Sequence, residues 1–89
     1  MLNYIYEIYT ANNKTEIRLK YYLKQRGDIA NKLQKLKLSP MTGIGAHPLH
    51  GRLADKWSCW LGTNIRMIYS IDDTNKRIVV EAIGTHKIY

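Results

Sequence analysis

Eighty-nine residues, 45% of them hydrophobic, suit one small globular domain spanning 1–89 and exclude a disordered chain. Fourteen Lys and Arg against seven Asp and Glu leave a net charge of +7. That favours a polyanionic partner, because cations that neutralise phosphates release counterions and gain affinity without reading sequence.

Cysteine usage and hydropathy narrow the class further. The single cysteine, Cys59, excludes an internal disulfide and a cysteine metal cluster. There is no run of about 18 apolar residues to span a membrane. The start, Met1-Leu2-Asn3-Tyr4, lacks the marks of a signal peptide, so the expected location is the cytoplasm.

In chain order, Leu2 to Tyr9 alternates as a strand with Leu2, Tyr4, Tyr6 and Ile8 on one face. Asn12 and Asn13 supply a turn and a helix cap. Lys14 to Gln25 is helical, with Ile17 and Tyr21 at i and i+4 and Leu19, Tyr22 and Leu23 widening the apolar stripe. Gly27 interrupts, and Asp28 caps a second helix in which Ile29, Leu33 and Leu36 share a face. Ser39-Pro40 stops it.

Met41 to Pro48, with Gly43 and Gly45, has no periodicity and reads as a loop. Strands follow at His50–Leu53, Trp57–Leu61, Ile65–Ile71 and Arg77–Ile83. Gly62-Thr63-Asn64 and Asp72-Asp73-Thr74-Asn75 make the turns, and the chain ends in the tail Thr85–Tyr89. The expected architecture is α+β: an N-terminal strand, a two-helix hairpin, then a three- to four-stranded antiparallel sheet covered on one face by the hairpin.

His47, His50 and His86 show no metal-ligand spacing, and no cysteine accompanies them, so no metal or cofactor is expected. There is no Gly-rich phosphate loop and no nucleophile elbow. Cys59, between Trp57 and Trp60, reads as a strand residue. What remains is metal-free acid–base chemistry. Cleaving RNA through its own 2′-OH needs a base, a cation for the charged phosphorane and an acid for the leaving oxygen. His titrates near neutrality and Arg stays charged, which makes His47, Arg66 and His86 the natural candidates.

The second half of the chain carries a more specific signal. His47-Pro48-Leu49-His50-Gly51-Arg52-Leu53, Lys56-Trp57-Ser58, Asn64-Ile65-Arg66-Met67-Ile68-Tyr69, Asp72-Asp73 and Gly84-Thr85-His86 occur in order with near-constant spacing. Over about residues 40 to 89 this resembles the RelE/ParE toxin superfamily, and within it the YoeB, YafQ and RelE mRNA-cleaving branches. The resemblance implies a RelE-like fold and a type II toxin that cuts mRNA in the ribosomal A site without a metal. It implies three partners: the ribosome, mRNA, and a cognate antitoxin, acidic and partly disordered, that would carry any DNA binding. Arg66 matches the arginine that stabilises the scissile phosphate, and His86 matches the C-terminal acid–base histidine. His47 stands where YafQ-like toxins have His and YoeB-like toxins Glu, and Tyr89 resembles the terminal aromatic that orients substrate. Arg52, Lys56 and Lys87 are candidates for substrate contacts.

The sequence departs from these branches in places. Trp60 and Asn64-Ile65 stand where YafQ-like enzymes carry His and an Asp-Trp pair, and the lysine-rich strand of RelE is absent. The spacing from His86 to Tyr89 is one residue shorter than the YafQ tail. Two alternatives stay open: a ParE-like toxin acting on gyrase, and a catalytically inactive, antitoxin-binding relative.

Overall fold

The computed structural model describes residues 5–62 and 64–85. Within them the chain forms β1 (Glu7–Thr10), α1 (Asn13–Gln25), α2 (Gly27–Leu38), β2 (His47–Pro48), β3 (Trp57–Trp60), β4 (Arg66–Asp72) and β5 (Arg77–Gly84). Single 3₁₀ turns lie at Gly43–Gly45 and Gly51–Leu53. The strands make one five-stranded sheet in the order β1-β5-β4-β3-β2. β2 to β5 pair antiparallel, as short connections require, while β1 lies parallel to β5 and makes the sheet mixed.

Alternation along the strands divides the sheet into two faces. Ile8, Trp57, Cys59, Met67, Tyr69, Ile78, Val80 and Ile83 point into one core, where α1 contributes Leu19 and α2 contributes Ile29, Leu33 and Leu36. The α2 stripe expected from its i, i+4, i+7 spacing is the buried one. Among the described residues the opposite face carries no helix and holds His47, Ser58, Trp60, Arg66, Ile68, Ser70 and Ala82.

Four expectations change. Within the described residues the first strand, expected over Leu2 to Tyr9, begins at Glu7 and runs to Thr10. Ile17 and Tyr21 are not on the buried side of α1: they are 59% and 57% exposed. Thr15 and Leu19 are buried instead, with Tyr22 and Leu23 packed on the core. Residues 15, 19, 22 and 23 form a rival stripe, and it prevails because Thr15 Oγ1 also donates to the Glu81 carbonyl at 3.2 Å.

His50–Leu53 is not a strand. Gly51 adopts φ 69°, the left-handed region, and starts a 3₁₀ turn. The short strand lies just before it, at His47–Pro48, where proline is tolerated because β2 is an edge.

Asp28 does not cap α2. Arg26 occupies that position, and Asp28 sits in the first turn paired to Arg26 and Lys32. Asn12 does cap α1, accepting from Thr15 N at 2.9 Å.

Candidate active site on the helix-free sheet face

The cross-strand register sets the site. His47 faces Ser58, Ser58 faces Ile68, and Ile68 faces Ala82, so one row runs across β2 to β5. The adjoining row is Trp60, Arg66 and Gly84. Ser58 and Ile68 are buried and form the floor, with His47 exposed at the β2 edge.

The Arg66 guanidinium carbon lies over the Trp60 ring, 4.3 Å from its centroid, where cation–π attraction helps to hold it. Trp60 also adjoins the His47 loop: a methyl group placed at Gly45 would lie 3.4 Å from Trp60 Cδ1. Trp60 therefore bridges the loop and Arg66, a role not read from the sequence. It was legible in part, because residues 60 and 66 flank a five-residue connection and so fall opposite one another in the hairpin.

His47 Nδ1 lies 3.0 Å from the Gly45 carbonyl oxygen. A carbonyl only accepts, so Nδ1 carries the hydrogen in this contact. In the neutral ring that leaves Nε2 with its lone pair, the form a general base requires. Gly45 adopts φ 72° and Ile44 φ 43°. The second value is unusual for a β-branched residue, and Ile44 is partly buried against the core.

Lys56 is not a free cation. Its Nζ lies 3.0 Å from Glu81 Oε2 and 3.8 Å from Asp55 Oδ2, and Ser70 Oγ donates to the same Glu81 oxygen at 3.1 Å. Glu81 reaches this face through a bulge. Ile68 pairs Ala82 while Tyr69 pairs Val80, which leaves Glu81 as the extra residue. Arg52 sits exposed on the turn between β2 and β3, beyond the Trp57 end of β3 and away from Arg66. The structure thus brings Arg66, Trp60 and the His47 loop together and leaves Arg52 apart. His86, Lys87 and Tyr89 lie outside the described residues.

Other reactive groups of the sheet are withdrawn from chemistry. Burial pushes the Cys59 thiol up to about 12, so it is no nucleophile near neutrality. Burial also raises the Tyr69 hydroxyl, which donates to the Pro40 carbonyl at 2.7 Å and anchors the loop that leads to His47. Among the described residues no group of three or more His, Cys, Asp or Glu is placed to hold a metal ion. No helix among them is long and apolar enough to cross a membrane.

A two-helix layer on one face of a sheet ordered β1-β5-β4-β3-β2 is an α+β fold shared with solved toxin structures. The likeness is to particular solved structures. The YoeB/ParE toxin from Agrobacterium tumefaciens superposes with a TM-score of 0.72 at 19% identity, over 90% of this chain and 98% of that one. The toxin–antitoxin complex RelBE2 from Mycobacterium tuberculosis gives 0.69 at 20% identity, over 92% and 99%. YafQ from E. coli gives 0.62 at 17% identity, over 91% and 93%. At these identities the likeness is one of fold. No protein-family model and no curated protein matches the chain.

Proposed function

We propose that this chain is the toxin of a type II toxin–antitoxin pair and a ribosome-dependent mRNA endonuclease that cuts in the A site without a metal. The observation that carries this reading is the His47–Trp60–Arg66 arrangement on the helix-free face: a histidine whose Nδ1 is engaged by a carbonyl, leaving Nε2 as acceptor in the neutral ring, and an arginine set over a tryptophan ring. Structures of the same fold include toxins in complex with antitoxins, such as RelBE2, which supports an antitoxin partner here.

In the proposed reaction, His47 Nε2 takes the proton of a ribose 2′-OH. The freed oxygen attacks the adjacent phosphorus while Arg66 stabilises the charge gathering on the phosphoryl oxygens. The bond from phosphorus to the 5′ oxygen breaks, and His86 delivers a proton to that oxygen. The products are a 2′,3′-cyclic phosphate and a 5′-OH. The +7 net charge supplies general affinity for RNA.

The test is cleavage on programmed ribosomes, with mRNA ends mapped for the wild type, His47→Ala, Arg66→Ala and His86→Ala. The expected result is A-site cleavage leaving a cyclic phosphate. Loss of His47 or His86 lowers the rate by about 10²–10⁴, and loss of Arg66 by about 10²–10³. A wild type that leaves the mRNA intact rejects the nuclease reading.

A further inference from the structure

Among the described residues β5 is paired on both sides only as far as Val80. Thr10 is the last β1 residue in register with it, and Ala11 N donates to the Val80 carbonyl at 2.8 Å as the chain turns away. From Glu81 onward the outer edge of β5 faces the first turns of α1 instead. Between them lies a cleft of about 390 Å³ lined by Asn12, Lys14, Thr15, Arg18, Glu81 and Ala82, among others.

Lys14 and Arg18 stand four residues apart on one side of α1, and both are exposed. Among the described residues neither has an ion pair, and the same holds for Lys24, Lys35 and Lys37, whereas Lys20 of α1 and Lys32 of α2 are each matched by a carboxylate. Two like charges at this spacing repel, and an anion between them relieves the repulsion. The one carboxylate bordering the cleft, that of Glu81, is engaged by Lys56 and Ser70.

Ala82 belongs both to this cleft and to the row that begins at His47, and Gly84 beyond it pairs with Arg66. The cleft therefore opens on the far side of β5 from Arg66, two strand spacings or about 10 Å across the sheet. We infer that this cleft holds a backbone phosphate of the RNA next to the scissile one, bound between Lys14 and Arg18. The inference rests on the nuclease reading for its substrate. The phosphodiester chain crosses the helix-free face from the His47 edge, passes Arg66 and leaves over β5 beside Glu81 and Ala82. The contact reads no base, so it sets register along the RNA rather than sequence preference.

The experiment measures binding of the full chain to a single-stranded RNA made uncleavable by 2′-O-methyl groups, across a salt series. Each phosphate contact contributes about 0.7 to the slope of log affinity against log salt. Lys14→Ala/Arg18→Ala should therefore bind several-fold more weakly at low salt, with a slope flatter by about 0.7 for one shared phosphate. Lys14→Arg/Arg18→Lys should keep the wild-type slope. Lys20→Ala/Lys24→Ala removes the same formal charge beside Ile17 and Tyr21 and should leave the slope unchanged. Both alanine pairs replace exposed side chains, and circular dichroism checks that they fold.

An unchanged slope in Lys14→Ala/Arg18→Ala overturns the inference, as does an equal fall in the Lys20→Ala/Lys24→Ala control. Absence of salt-dependent binding by the wild type also overturns it. So does a double variant that keeps RNA binding and loses only an acidic peptide partner. Cleavage is not read here, so the two readings fail separately. A wild type that binds through the cleft yet never cuts retires the nuclease and leaves the cleft. A wild type that cuts A-site mRNA while Lys14→Ala/Arg18→Ala keeps its slope retires only the cleft.

Discussion

Removing the Glu81 carboxylate tests how the bare face of the sheet tolerates charge. In the structure this group accepts from Lys56 Nζ at 3.0 Å and from Ser70 Oγ at 3.1 Å, and the Lys56 and Glu81 side chains are 22% and 32% exposed. A fully exposed pair contributes about 0–1 kcal/mol, and a hydrogen bond to a charged group about 1.5–3 kcal/mol. The intermediate burial places Glu81→Ala at a cost of about 1–2 kcal/mol. In a domain of this size that lowers Tm by about 4–16 °C. Urea denaturation of Glu81→Ala, Lys56→Met and the double variant isolates the pair, with an expected coupling of about 1 kcal/mol. Glu81→Ala also leaves Lys56 with only the distant Asp55 carboxylate, so RNA binding should tighten at low salt. Additive single effects, or a Glu81→Ala cost below about 0.5 kcal/mol, would refute the argument that this pair is more than a surface contact.

Tyr69→Phe deletes the donor to the Pro40 carbonyl and leaves that oxygen buried, which should cost about 1–3 kcal/mol in denaturant melts and lower cleavage by loosening the loop that carries His47. Ser58→Ala should leave stability unchanged or raise it by up to about 1 kcal/mol, because the Ser58 hydroxyl is buried without a hydrogen-bond partner among the described residues. A loss of stability there, read by calorimetry, would mean that the hydroxyl is bonded in solution. The Tyr6 hydroxyl and then Lys76 hold the Asp73 carboxyl below its usual range. A depressed folded pKa stabilises above the unfolded value of about 3.9 and loses that contribution as pH falls through the folded one. The Tm gap between wild type and Asp73→Asn should therefore be full near neutrality and shrink below about pH 4, and a gap independent of pH would refute the assignment.

Much of this architecture was legible in the residues. The α2 stripe of Ile29, Leu33 and Leu36 and the hairpin of β4 and β5 around Asp72–Asn75 follow from local periodicity and turn chemistry. The buried face of α1 does not, because two stripes compete on one helix and Thr15 wins through a carbonyl that lies 66 residues away in sequence. β2 was misplaced because a two-residue edge strand has no periodicity of its own and exists only through its pairing with Ser58 and Trp57. The bulge at Glu81 left a trace, since the inward residues Ile78, Val80 and Ile83 step by two and then by three. Nothing local signals that Lys56 and Glu81 meet, for they are joined only by the order of the sheet.

His47 and Arg66 stood out as residue types suited to the chemistry, but their usefulness depends on groups with no chemistry of their own. They lie two strands apart, about 10 Å across the sheet, so they act on one nucleotide only if both are held still. Arg66 is held by the Trp60 ring. His47 is held by a loop anchored along its length: Pro40 by the Tyr69 hydroxyl, Ile44 by the core, and His47 itself by pairing with Ser58. The left-handed turn at Ile44 and Gly45 then aims one carbonyl at Nδ1 and so selects the tautomer. An exposed histidine on a two-residue edge strand would ordinarily sample many rotamers and both tautomers. Here one β-branched residue holds a left-handed conformation while packed against the core, and the carbonyl it helps to place favours the Nδ1–H form that the proposed role of His47 requires.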